Sequence, residues 1–340
     1  MTIFGQSAGA MSVAAHLVSP PAAGLFQAAI LESNPLTIAW SNEENALAMA
    51  DKFAVALNCT AGNTACLRAA KVSDILVAQV KAIRIDPTGP LQAFVPWLPW
   101  VDGKVIAGQP LTLFATGDYS QVPIQIGTVQ SEGVLFVYSG FPTPIPNPEY
   151  VVIITGLFQI HAPAVLSRYA CTNHTDCRPT MSRLATDYVF ACPSRNATRN
   201  MIKYNPKAYM YHFDHLINAD GNNTNIWGPN FAECQYQICH GSELPYVFNS
   251  LELPPSPYVW GPGELAFSHS MATYWGNFGN SHSPNSPNAV PTTWPIYTTA
   301  SDTYLRMYYD NQVNFPLEQG YLQSACDYWD TIGYGWGTFY

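Results

Sequence analysis

The pentapeptide Gly5-Gln6-Ser7-Ala8-Gly9 constrains this chain more than any other feature, because of what stands on either side of it. The apolar residues 1–5 read as the end of a buried strand, and the small and apolar residues from Ala8 to Val18 read as a helix. A chain that passes from strand to helix through Gly-x-Ser-x-Gly must turn sharply, and the glycines permit that turn without Cβ clashes. The serine hydroxyl then projects from the turn instead of packing into the sheet. The helix opening behind Ser7 adds the positive end of its dipole and a backbone N–H at Ala8, both suited to holding an oxyanion.

Further along, Pro20 and Pro21 end the first helix, since proline lacks the donor N–H and clashes with the preceding turn. Ala28 to Leu31 reads as a short apolar strand. Ser41 with Glu44 makes a capping box, and Leu47, Ala50, Ala54 and Leu57 recur at helical spacing, which predicts a helix over 42–57. The proline- and tryptophan-rich stretch 87–102 reads as loop. Residues 122–128 (VPIQIGT) read as a buried strand whose end delivers Ser131, Glu132 and Gly133. A strand over 207–213 leads into a loop rich in Asn and Gly that ends at His240, and a helix is predicted over 321–331. No internal repeat or biased linker divides the chain, so 1–340 reads as one domain.

With 48% hydrophobic and 13% aromatic residues the chain can bury a large core. Only 11% of residues are charged, and the net charge of −9 includes no basic run that could neutralise phosphates, which argues against a nucleic-acid partner. No uninterrupted apolar stretch approaches the roughly 20 residues of a membrane-spanning helix, the best being Tyr150 to Ile160, broken by Gly156; no membrane span is expected. Six of the eight cysteines fall as close pairs, Cys59/Cys66, Cys171/Cys177 and Cys234/Cys239. Their spacings are not the CxxC pairs of structural zinc sites, so disulfides, and with them a secreted, extracellular protein, are expected. Sequons at Asn173, Asn196 and Asn222 lean the same way as glycosylation sites.

A serine hydroxyl is a weak nucleophile until a histidine takes its proton, and the imidazole needs a carboxylate to orient and stabilise it. Among eight histidines, His240 precedes Gly241 at the end of a long loop, where a base can reach across a cleft. Glu132 precedes Gly133 at a strand end. The chain order serine, acid, histidine is that of the strand–turn–helix hydrolases.

At these residues the chain resembles the type-B carboxylesterase and cholinesterase family. The likeness runs through FGQSAGAMSV, HLVSPPAAGLFQAAILES, the VDG at Val101, GTVQSEGVLF, CHGSELPYVF, MATYWGNFGNSHSPN and CDYWD. It implies an α/β-hydrolase fold, a mostly parallel central sheet flanked by helices, with Ser7 as nucleophile, Glu132 as acid and His240 as base. It also implies the disulfides Cys59–Cys66 and Cys192–Cys326; Cys171–Cys177 and Cys234–Cys239 follow from proximity, the second bracing the loop that carries His240. Family architecture places Trp97, Leu135 and Phe136 at an acyl pocket. The reaction implied is hydrolysis of a small-molecule or lipid ester through an acyl-enzyme, without cofactor or metal.

Two departures qualify the likeness. Cholinesterases have glutamate before the nucleophile where this chain has Gln6, which favours a general carboxylesterase. Family members also carry a long segment before the nucleophile, with the first strands and an oxyanion loop, that this sequence lacks, so a domain incomplete at its N-terminus is expected. The rival expectations are a non-catalytic adhesion or structural module of the same family and an inactive fragment of a longer esterase.

Overall fold

In the strands of this chain successive side chains point to opposite faces, and both faces are apolar, which requires a sheet covered on each side. The computed structural model, which describes residues 1–82, 95–219, 222–253, 258–310 and 312–335, has that architecture. Its strands are β1 (Thr2–Gln6), β2 (Ala28–Glu32), β3 (Ile124–Val129), β4 (Ala208–Phe213), β5 (Asn218–Ala219), β6 (Asn222–Asn223), β7 (Thr303–Tyr309), β8 (Val313–Asn314) and β9 (Leu317–Gln319). β1, β2, β3, β4 and β7 lie side by side in that order and run parallel; β8 and β9 pair antiparallel with β7, and β5 and β6 form a separate small sheet. This mostly parallel sheet with flanking helices is the α/β-hydrolase arrangement.

The alternation is explicit in β2. Ala28 and Ile30 join Tyr209, Tyr211 and Phe213 against Phe267, Met271, Tyr274, Trp275 and Phe278 of the helix Pro262–Ser281. Ala29 and Leu31 face the other way, with Ile124 and Ile126, onto the helices Ala8–Leu17 and Cys192–Met201. A third apolar cluster lies among helices alone and joins Val137, Tyr150, Ile154, Val165, Tyr188 and Trp329. It is fastened to the sheet layer by Cys192–Cys326 and by Arg195, wholly buried, whose guanidinium pairs with Asp302 at 2.7 Å and Asp327 at 2.8 Å.

Most predicted elements appear within a residue or two of their expected ends, and one cap changes. The helix Glu43–Ala56 is capped by Asn42, whose side chain accepts from the Asn45 N–H at 2.9 Å; Ser41 is held instead by backbone bonds with Pro99 and Val101. The apolar run Tyr150–Ile160 lies within a helical stretch, 147–168, of 22 residues, whose most apolar 18-residue window has a mean hydropathy of 1.6, enough by length and composition alone to cross a membrane. The run is broken where Gln159 takes φ 47°, and Tyr150, Ile154, Phe158, Ala162 and Val165 pack inward, while Val152 and Ile160 are 71% and 84% exposed. Asn196 lies within the helix Cys192–Met201, partly buried, its amide donating to Asp330 at 3.0 Å, and Thr198 of the same sequon is buried. Asn173, by contrast, is exposed on the loop between Cys171 and Cys177. Asn222 belongs to β6. The first part of the predicted loop, residues 87–94, lies outside the described residues.

Candidate active site

Parallel strands of an open sheet end together, and side chains just beyond their carboxyl ends converge. Ser7 follows β1 and Glu132 comes three residues after β3. The turn at Ser7 has φ 57° and ψ −119°, a backbone region that costs a non-glycine residue on the order of 1–3 kcal/mol. It is held by the Ser7 N–H donating to the Glu32 carbonyl at 2.9 Å and by the Ser7 carbonyl accepting from Met11 at 2.9 Å. Gly5 is required by space: a Cβ there would stand 2.4 Å from the Gly9 carbonyl carbon. Gly9 is not, since a Cβ on it meets nothing within 4 Å. Ala8 opens the helix, so its N–H has no partner within the helix and stands free beside the serine.

Glu132 is fully buried at the start of the helix Glu132–Gly140. One of its oxygens accepts from the Val129 N–H at 2.9 Å, and the other lies 2.5 Å from Nδ1 of His240. The pairing of the two loops explains this closeness. The Ser131 N–H donates to the Ile238 carbonyl at 3.0 Å, the Ser131 hydroxyl meets Gln237 at 3.2 Å, and Cys234–Cys239 closes the loop immediately before His240. Gly133 lets the Glu132 helix approach its neighbour, because a Cβ would come within 2.2 Å of the Ser182 carbonyl oxygen. Nε2 of His240 stands 3.2 Å from the Gln6 amide nitrogen; among the described residues the Ser7 hydroxyl makes no side-chain hydrogen bond.

Two aromatic rings flank the imidazole, Phe136 at 4.9 Å and Phe190 at 5.1 Å between ring centres. Both also line a cavity of about 210 Å³ that opens at Ser7 and Ala8 and is walled by Met11, Ile38, Val137 and Val189. Of the three residues expected at an acyl pocket, Phe136 is in this lining and Trp97 and Leu135 are not. Trp97 is 46% exposed and packs edge-on against Phe53 away from this cavity. Leu135, one helical step from Phe136, points to another side and packs beside Val134, Cys234 and Cys239. Val189 and Phe190 were not anticipated. They belong to a π-helical stretch, Thr186–Ala191, interposed between the helices Arg178–Ala185 and Cys192–Met201, and nothing in TDYVFA distinguishes it from ordinary helix.

Behind the histidine, acidic groups are buried. The Glu32 carboxyl is pushed up from its ordinary 4.5 to about 7 by burial, against the opposing effect of the Trp275 indole N–H that it accepts at 2.6 Å. Glu243 is raised well above the ordinary range, first by burial and then by the charges of Glu32 and Glu132. All eight cysteines are paired, as Cys59–Cys66, Cys171–Cys177, Cys192–Cys326 and Cys234–Cys239.

Residues 1–329 match the model of the carboxylesterase family. Among curated proteins the chain is 36% identical over 307 residues to the cAMP-regulated D2 protein of Dictyostelium discoideum, covering 90% of this chain and 56% of that protein. It is 32% identical over 338 residues to the Crystal protein of the same organism, covering 98% and 60%, and 24% identical over 352 residues to acetylcholinesterase of Bungarus fasciatus, covering 97% and 55%. The chain therefore spans little more than half the length of these relatives. On the family match and the parallel sheet that carries Ser7, this chain belongs to the carboxylesterase family.

Proposed function

We propose that this chain carries the catalytic machinery of a serine carboxylic-ester hydrolase, with Ser7 as nucleophile, His240 as base and Glu132 as the acid that orients it. The observation that carries this reading is convergence: a serine in a strained turn and a buried Glu132–His240 pair open onto one apolar cavity. Ser7 Oγ attacks the ester carbonyl carbon and its proton passes to Nε2 of His240. The resulting imidazolium is stabilised by Glu132 at Nδ1. The carbonyl oxygen, now negative, draws on the Ala8 N–H at the helix start. Collapse of the tetrahedral species expels the alcohol, which takes the proton from Nε2, and leaves the acyl group on Ser7. Water deprotonated by the same nitrogen then releases the acid.

The cavity of about 210 Å³ suits an apolar acyl group, with Phe136 in the role expected of it and Val189 and Phe190 beside it. The substrate is thus a small-molecule or lipid ester. Four disulfides favour an extracellular setting, and exposed Asn173 suits a glycan. The test is labelling of the purified chain by a fluorophosphonate probe beside Ser7→Ala, with the modified peptide located by mass spectrometry. Label confined to Ser7, and lost in the variant without change in its melt, is expected. Label elsewhere, or none on folded protein, overturns the assignment.

A second reading is a non-catalytic binding or structural module. In its favour, Ser7 makes no hydrogen bond to His240, and the relatives at 36% and 32% identity have names that state no enzyme activity. The same experiment separates the two, because a folded module without an activated serine stays unlabelled.

A further inference from the structure

We infer that Gln6 is a positioning residue that latches His240 in a resting state, occupying the nitrogen that must take the Ser7 proton. The inference rests on reading His240 as the base. The Glu132 carboxylate at Nδ1 can only accept, so Nδ1 carries the ring proton and Nε2 of the neutral imidazole presents a lone pair. The Gln6 side-chain nitrogen, 3.2 Å from Nε2, can only donate. One lone pair takes one in-line donor, and here that donor is the amide and not the Ser7 hydroxyl.

Local structure supports a specific contact. Gln6 is the last residue of β1, directly before the turn, and it enters the site from the same strand end as the nucleophile. Gly241, at φ 83°, follows the histidine: a Cβ there would press on the Trp227 ring at 3.0 Å and would only touch the Gln6 side-chain nitrogen, at 3.6 Å. Phe136 and Phe190 hold the imidazole from its sides, which leaves Nε2 to be gripped end-on. Proton transfer from Ser7 therefore requires the amide to move off Nε2 first.

The experiment measures the rate constant of fluorophosphonate labelling at Ser7 from pH 5 to 9 for the wild type, Gln6→Met and Gln6→Glu, each with a thermal melt. Methionine keeps the length and loses the donor. Releasing one neutral hydrogen bond is expected to speed labelling by about two- to tenfold with the melt unchanged. Glutamate favours the protonated ring, so the rising limb of its rate–pH profile is expected to move up by about one pH unit, a change that a merely structural role would not produce. Gln6→Leu, which also lacks the donor, repeats the acceleration test should Gln6→Met fail to melt cooperatively. A donor-free variant that folds and labels no faster than the wild type, or an unmoved limb in Gln6→Glu, overturns the latch while leaving His240 as base. A folded wild type that does not label at Ser7 overturns both the latch and the esterase reading.

Discussion

Replacing Glu32 by glutamine should make the protein less sensitive to a rise in pH between 4.5 and 7, and the size of the effect follows from where Glu32 lies. The residue ends β2, is buried, and accepts the Trp275 indole N–H at 2.6 Å. In the unfolded chain its carboxyl ionises near 4.5; in the fold burial defers ionisation to about 7. Between those values the folded state binds more protons than the unfolded state, so stability falls as pH rises through that window and is flat above it. At 1.36 kcal/mol per pH unit the loss amounts to about 3 kcal/mol. Glu32→Gln has no proton to lose and keeps an oxygen for Trp275. It also removes a negative neighbour from Glu243, which adds to its advantage in the same direction. Asp187, raised to about 6 by burial, contributes equally to both proteins and cancels in the comparison. Urea denaturation at intervals from pH 4.5 to 8 measures the difference: the wild type should lose about 3 kcal/mol relative to the variant, most of it below pH 7. Parallel curves, or a wild type that gains on the variant as pH rises, would refute a Glu32 held neutral by burial.

Three further perturbations have definite outcomes. Gly5→Ala places a Cβ 2.4 Å from Gly9 backbone and should cost about 3 kcal/mol or more and abolish Ser7 labelling, whereas Gly9→Ala meets nothing and should melt within a few degrees of the wild type. Replacing both Cys192 and Cys326 by alanine opens a link across 134 residues, for which chain entropy gives a loss of about 5 kcal/mol; the same change at Cys59 and Cys66, 7 residues apart, should cost about 2 kcal/mol in denaturant titrations. Val189→Trp should fill much of the cavity at Ser7, so that in a series of p-nitrophenyl esters kcat/KM falls more than tenfold for longer acyl chains and least for acetate. Equal losses along the series would remove the cavity from acyl recognition.

What the sequence made legible is local or periodic. The turn at Ser7 is fixed by adjacent residues, and β2 and β3 are apolar on both faces because both are covered, so runs such as AAIL and IQIGT mark them directly. The helix cap moved from Ser41 to Asn42 because Ser41 is drawn into backbone bonds with a loop nearly sixty residues away, which no capping rule weighs. Trp97 and Leu135 are absent from the lining of the cavity at Ser7 for a related reason: which side chains meet a cavity depends on partners far along the chain. Residues 186–191 spell a helix of either kind, and their π geometry, which sets Phe190 against His240, emerges only with the packing. The Gln6–His240 contact joins positions 234 residues apart and has no local signature at all.

The buried acids give the site its electrostatic character. Glu32, Glu132 and Glu243 are enclosed near one another, with the Tyr211 hydroxyl raised by burial and then by all three. Their hydrogen bonding differs. Glu132 faces a backbone N–H and the imidazole, whereas Glu243 accepts from the Ser33 hydroxyl at 3.5 Å and has, among the described residues, one oxygen without a side-chain partner. Burial holds Glu32 and Glu243 toward the protonated form, Glu32 against the opposing Trp275 indole N–H. Glu132 is the acid that touches His240. Two more charges there would repel it and one another in a medium where each interaction is weakly screened. Burial that costs stability at Glu32 as pH rises therefore has a counterpart in the site: below about pH 7 it limits the negative charge that gathers around Glu132 and His240.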